Sequence, residues 1–259
     1  MTKMWAVLAI VGLFAALLGG CGGGEQPQVE TSPTPPTGED AALAPCRALQ
    51  AFQTYRYSVS FKLESPEPEE SPTAVQPTPT STLTREFTGP FLFEYNIEAS
   101  FVAPDRVELA ISGTGSPFSM IVIGDQSWVE LAGEWQQSQQ GSTVPYRPVD
   151  ICEAILADLD LSQGQPQEEK LNDVKTLHYT FTQVPSEQGM GKIFGSQSDM
   201  GILLKKLDVD LWLAEKDNSP VRIDVSSSGL YADGREMRAH ILVDIRDANS
   251  GDIRVEPPL

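Results

Sequence analysis

From Tyr55 the chain alternates. Tyr55, Tyr57, Val59, Phe61 and Leu63 are apolar, and Arg56, Ser58, Ser60 and Lys62 between them are polar. Side chains of a strand point to opposite faces with a period of two, so this stretch predicts a strand with one dry and one wet face. Phe91 to Phe101 and Arg106 to Ser112 predict a second pair, turned at Ala103-Pro104-Asp105. Phe118 to Ile123 and Gln126 to Leu131 flank Gly124-Asp125, a two-residue hairpin signal with glycine where positive φ is needed. Phe118, Met120 and Val122 share one face of the first of these strands and Ile121 and Ile123 the other, so both faces call for cover. Further strands are predicted near Lys175 to Gln183, Leu207 to Ala214, Val221 to Ser228, Glu236 to Asp247 and Ile253 to Val255, with turns at Asp217-Asn218-Ser219-Pro220, Asp233-Gly234 and Asn249-Ser250-Gly251.

Three stretches break this period. Val149, Cys152, Ile155, Leu156 and Leu159 fall at helical spacing, with Pro148 ahead of them and acidic residues in the first turns. A shorter helix over Ala42 to Gln53 would carry Cys46, Leu49 and Phe52 on one side. Between Val184 and Leu207 the chain is punctuated by glycines and rich in soft apolar side chains, Met190, Phe194 and Leu203 among them. Either a short helix packed on the sheet or a flap over it fits that composition.

The first residues follow another rule. A basic residue, Lys3, precedes the uncharged run Met4 to Leu18, which ends in Gly19-Gly20-Cys21, as in a cleaved secretory signal. Leu18-x-Gly20-Cys21 resembles the lipobox of bacterial lipoproteins, whose cysteine is acylated and becomes the mature N-terminus. The expectation is a signal peptide over 1–20, lipidation at Cys21 and a protein held on the extracytoplasmic face of the cell membrane by its acyl chains. An uncleaved span is the alternative, but the run sits near the lower length limit and ends in glycines. Residues 21–41 are Gly, Pro, Thr, Gln and Glu with almost nothing to bury, the composition of a disordered tether. Residues 64–84 have the same composition, but only about twenty structured residues precede them, too few for a core of their own. They read as a loop inside one β-rich domain, 42–259.

Net charge narrows the function. The full chain carries −18, and −19 without Lys3, with no cluster of Lys and Arg. Nucleic acid and charge-driven membrane adsorption are therefore not expected partners. Lipidation of Cys21 would leave Cys46 and Cys152 as the only thiols of an exported domain, and a disulfide between them is the favoured reading over two buried free thiols.

The order of the short motifs carries a resemblance. A helix leading into Tyr-x-Tyr-x-Val, then Ala103-Pro104-Asp105-Arg106-Val107, Ile123-Gly124-Asp125-Gln126-Ser127-Trp128, Leu211-Trp212-Leu213 and Pro220-Val221-Arg222-Ile223, is similar to the lipid-carrier lipoproteins of the LppX/LprG type. Those share the unclosed β-barrel of the LolA/LolB carriers. The resemblance implies an α+β fold, mainly antiparallel β, in which a curved half-barrel sheet packs around a few helices and an apolar cavity receives acyl chains. The Pro/Thr/Glu-rich segment after the first strand departs from that pattern.

Catalysis finds little footing. His178 and His240 each fall opposite the apolar side of a strand pattern and read as surface residues. No zinc spacing, phosphate loop or nucleophile elbow is present, and Asp247-x-Asn249-x-Gly251-Asp252 lacks the later positions of a calcium loop. Asp208 and Asp210 share a strand face and read as solvated. No enzyme activity, metal or cofactor is expected. The expected function is binding or carriage of a lipid or other hydrophobic molecule, with Phe118, Met120, Val122, Trp128, Phe181, Met190, Phe194, Leu203 and Trp212 as candidate lining. The alternative is a structural or protein-interaction lipoprotein with a filled core, in which Trp128, Trp135 and Trp212 are core aromatics.

Overall fold

The computed structural model describes residues 43–66, 91–138, 144, 146–157, 159–183, 202–231 and 234–258. All lie in the second of two compact units, residues 36–259. Cys21, the tether, residues 67–84 of the expected loop and the stretch containing Met190 and Phe194 fall outside the described residues.

Eleven antiparallel strands form one sheet. They are β1 Thr54–Ser65, β2 Phe91–Val102, β3 Arg106–Gly113, β4 Phe118–Ile123, β5 Gln126–Leu131, β6 Glu134–Ser138, β7 Gln167–Leu171, β8 Val174–Gln183, β9 Ile202–Ala214, β10 Pro220–Tyr231 and β11 Glu236–Arg246. Their order is β6-β5-β4-β3-β2-β1-β11-β10-β9-β8-β7, so β1 and β11 lie at the centre and, among the described residues, β6 and β7 are the two edges. The sheet is curved and unclosed, and two helices, α1 Ala44–Gln50 and α2 Pro148–Leu156, complete the α+β architecture expected from the sequence.

Register converts alternation into a continuous dry face. Val59 stands opposite Ile97 of β2 and Val243 of β11, and Val243 opposite Ile223, which in turn stands opposite Leu211. Each step keeps the apolar side chain on one side, and a slip of one residue would turn the whole set to water. On this inner face sit both helices. Cys46 and Leu49 of α1 and Ile151, Cys152, Ile155 and Leu156 of α2 join the strand residues in one buried cluster. Each helix begins with proline in its first turn, where the missing N–H removes no helical hydrogen bond. Cys46 and Cys152 are disulfide-bonded, with Cα atoms 5.7 Å apart.

Several boundaries differ from the sequence expectation. β6 and β7 are additional strands, and their sequences, Glu-Trp-Gln-Gln-Ser and Gln-Glu-Glu-Lys-Leu, have the polar composition of protected edges. β1 runs into the expected loop as far as Ser65, and Ile202 to Leu204 open β9 instead of closing a helix or flap. Residues 253–255 form no strand. Ile253 and Val255 are nevertheless buried, and Arg106 Nη1 donates to the Val255 carbonyl at 3.3 Å. Residues 247–252 make a turn bound to the start of β1. The Asn249 side chain accepts from the Gln53 N–H at 2.8 Å, the Asn249 N–H donates to the Thr54 carbonyl, and Asp247 pairs with Arg56 at 2.8 Å.

Candidate hydrophobic ligand site

The inner face is the apolar one, and its chemistry is uneven along the strands. At the end of the sheet where β1 finishes and β2 begins it is aromatic. Phe61 stacks on Tyr95 across β1 and β2 at 5.0 Å between centroids, Tyr146 lies 5.3 Å from Tyr95, and Phe93 meets Tyr95 edge-on at 5.2 Å. Phe93 and Leu92 at this end remain exposed. At the opposite end Tyr55 stacks on Phe101 at 4.8 Å beside Phe52, closer to the helix pair. Burial pushes the Tyr55 phenol up to about 12, against a smaller opposing pull from Arg147, and pushes Tyr57 higher still.

Polar atoms on this face are few and several have no partner. Tyr57 Oη, Ser227 Oγ and Gln183 Nε2 are buried without a hydrogen bond, although Tyr57 is 1% exposed and Ser227 6%. An unmet buried hydrogen-bonding group costs about 1–3 kcal/mol, so each is a place where a water or a ligand atom would be welcome. Gln183 and Ser227 flank Leu207 in one cross-strand row. At the β7 edge the chain crosses the inner face closely at Gly164, where a Cβ would stand 2.8 Å from Tyr179 Cδ1 and 2.9 Å from Phe181 Cζ.

The expected lining divides between the two faces. Phe118, Met120 and Val122 pair with Ile111, Leu109 and Val107 of β3 and share the inner face with them. Phe181 pairs with Val209 on the same face. Trp128 pairs with Ile121 and Trp212 with Arg222 and His178, which places both tryptophans on the outer face. Leu203 is opposite Leu230 and 62% exposed, while its neighbour Leu204 is buried in the core cluster. The expectation that Trp128, Leu203 and Trp212 line a cavity with the others, or that Trp128 and Trp212 are core aromatics, is therefore corrected. For Trp212 and Trp128 the cause is plain alternation. For Leu203 it is a β-bulge, since Ser228 faces Lys206 but Gly229 faces Leu204, so Lys205 has no partner and the parity of the strand changes there.

The outer face holds the charged chemistry. His178 lies between two carboxylates, its Nδ1 3.0 Å from Glu169 Oε1 and its Nε2 2.9 Å from Asp210 Oδ1. Its ring stacks on Trp212 at 4.1 Å and 11°, and the Trp212 indole N–H donates to the second Glu169 oxygen at 2.9 Å. His240 meets Asp224 at 2.7 Å. Alternation alone places both histidines on the wet face, and β7, which brings Glu169, has no apolar alternation to reveal the pairing. Two concavities open on this side. One of about 420 Å³ is walled by Lys62, Lys206, Arg238 and His240, the other of about 400 Å³ by Arg56, Arg246, Glu98 and Trp135. Lys62 and Lys206 already pair with Glu64 at 2.8 Å and Asp208 at 2.7 Å, which leaves the first with little net field. Among the described residues no three His, Cys, Asp or Glu side chains are grouped to hold a metal ion, and no helix is long and apolar enough to cross a membrane.

No family model and no curated protein matches the chain. Among solved structures it is similar to a domain from Vibrio parahaemolyticus provisionally described as an outer membrane lipoprotein-sorting protein, at 11% identity, over 82% of this chain and 95% of that one, with a TM-score of 0.25. A likeness that low carries no functional argument. The fold stands on its own strand order and register.

Proposed function

We propose that this chain is a lipoprotein, acylated at Cys21 and anchored on the extracytoplasmic face of the cell membrane, that binds or carries a lipid or other hydrophobic molecule against the inner face of its sheet and performs no chemistry of its own. The observation that carries the ligand-binding part of this reading is the composition of that face. It is apolar from β4 to β8, aromatic at one end, and contains the buried and unpartnered Tyr57 Oη, Ser227 Oγ and Gln183 Nε2. Apolar burial at about 25 cal/mol per Å² would supply affinity, and those few polar atoms would orient a neutral hydrogen-bonding group of the ligand.

A second reading has its own support. Around the helix pair, Ile155, Leu156, Ile223 and Val243 are almost fully buried, as in a filled core, which suits a structural or protein-interaction module. Native mass spectrometry of the full chain in detergent, followed by organic extraction, separates the two. A lipid at near-unit stoichiometry supports the carrier. A clean apo mass, with no uptake of an anthroyloxy-labelled stearate, supports the filled core.

A further inference from the structure

Besides its ladder to β8 and the Trp212 indole, the β7 edge is tied to the outer face of the sheet through His178. Glu169 of β7 and Asp210 of β9 approach opposite nitrogens of His178 on β8, at 3.0 and 2.9 Å. A neutral imidazole has one N–H and can donate to only one carboxylate, and it turns a lone pair toward the other. An imidazolium donates to both. Glu169 is held in addition by the Trp212 indole N–H, and Asp210 by the Thr180 hydroxyl at 2.8 Å. Two charged groups of β10 adjoin the pair: Arg222, 5.8 Å from the Trp212 ring and itself paired with Asp244 of β11 at 2.7 Å, and Asp224, which stands opposite Asp210 and pairs with His240 at 2.7 Å. In register, His178 faces the uncharged Gln167 of β7.

What this fastening holds is a weak element. β7 has five residues, nearly all exposed, and among the described residues β8 is its one strand neighbour. The segment leading into it passes through Gly164, which lies against Tyr179 and Phe181 on the inner face. Movement of β7 away from β8 would thus uncover the inner face at the open edge of the sheet.

We propose that His178 is a pH-operated latch for β7, closed while the imidazole bears both protons and released when it loses one, and that it regulates access to the inner face at this edge. This rests on the reading of the inner face as the ligand site. Burial lowers the basicity of His178, but the hydrogen bonds and charges of Asp210 and Glu169 more than reverse this and hold it above the ordinary imidazole range. A group whose folded pKa is raised contributes fully below its unfolded value and stops contributing as pH rises through the folded one, so the latch closes in acid and opens toward alkali.

Hydrogen exchange of the full chain in nanodiscs, between about pH 5 and about pH 9 and expressed as protection relative to intrinsic rates, tests the latch without any ligand. Protection of residues 167–171 is expected to fall about tenfold as His178 titrates, while residues 207–213 stay protected. In Glu169→Gln and His178→Gln the low protection is expected at every pH, with no step. Hydroxyl-radical labelling of Tyr179 and Phe181 in the wild-type chain is expected to rise over the same range. Unchanged protection across the His178 titration, the same step in both variants, or labelling that ignores pH would each overturn the proposal. Absence of a co-purifying lipid would instead count against the carrier reading and leave these readouts intact.

Discussion

Cys46 of α1 is bonded to Cys152 of α2 on the inner face of the sheet, closing 106 residues of chain that include β1 to β6. Both sulfurs are buried, so the bond ties the helix pair to the half of the sheet threaded between them. For a loop of 106 residues the chain-entropy model gives about 4–5 kcal/mol of stabilisation. Cys46→Ala/Cys152→Ala is expected to lose most of that amount in urea unfolding monitored by circular dichroism. Because the sulfurs are enclosed, mild reductant should leave the folded protein oxidised and act only once denaturant opens the core.

Gly229 faces Leu204 across the bulge of β9, where the two backbones approach closely. A Cβ at Gly229 would stand 2.4 Å from the Leu203 carbonyl oxygen and 3.0 Å from Leu204 Cα, both backbone atoms that cannot swing aside. Gly229→Ala should therefore force the strands apart or remove the bulge, at a cost of about 2–3 kcal/mol. A lower urea midpoint with unchanged slope is the expected signature. A fully stable alanine variant would mean that the bulge yields easily and that the burial of Leu204 beside an exposed Leu203 is not fixed by it.

The parts of this fold that could be read from the chain are those governed by a single period. Tyr55 to Leu63 alternate because β1 has one core face, and Val149 to Leu159 recur at helical spacing because α2 lies on that face. Phe118 and Met120 were assignable to the dry side by the same count. What could not be read depends on relations between strands. Trp212 follows the polar parity of β9, yet a tryptophan invites a core assignment, and only the arrival of Glu169 on β7 shows why the outer face accommodates it. Leu203 would have matched the inner set in an unbroken strand. The β9 bulge reverses it, and nothing local in Leu203-Leu204-Lys205-Lys206 announces a bulge.

Tyr55 supplies a test of burial at the helix end of the inner face. Removal from water raises its phenol from 10.0 to about 12, with Arg147 pulling weakly the other way. The folded pKa exceeds the unfolded one, so its contribution is complete below about pH 10 and disappears as pH climbs toward 12. Absorbance at 295 nm should show that phenol ionising together with loss of the folded circular dichroism signal, while exposed tyrosines titrate earlier. Tyr55→Phe keeps the ring and removes the ionisation, and should move the alkaline unfolding midpoint upward. Free titration of Tyr55 near pH 10 in the folded chain would contradict its burial against Phe52 and Phe101.

Phe181 and Trp212 provide the sharpest comparison of the two faces, because they lie on neighbouring strands and point in opposite directions. Phe181 packs against the core cluster beside Tyr179 on the inner face. Trp212 is committed to His178 and Glu169 on the outer one. If the inner face receives the ligand, Phe181→Ala removes apolar contact from it and should weaken uptake of anthroyloxy-labelled stearate about tenfold, the equivalent of about 1.4 kcal/mol. Trp212→Ala should leave uptake within about twofold and instead lower the thermal midpoint, since the ring stack between β8 and β9 and the charge-assisted hydrogen bond between β9 and β7 are lost. Equal losses of uptake in the two variants would indicate a general loosening of the β7 edge, and a loss confined to Trp212→Ala would move the site to the outer face.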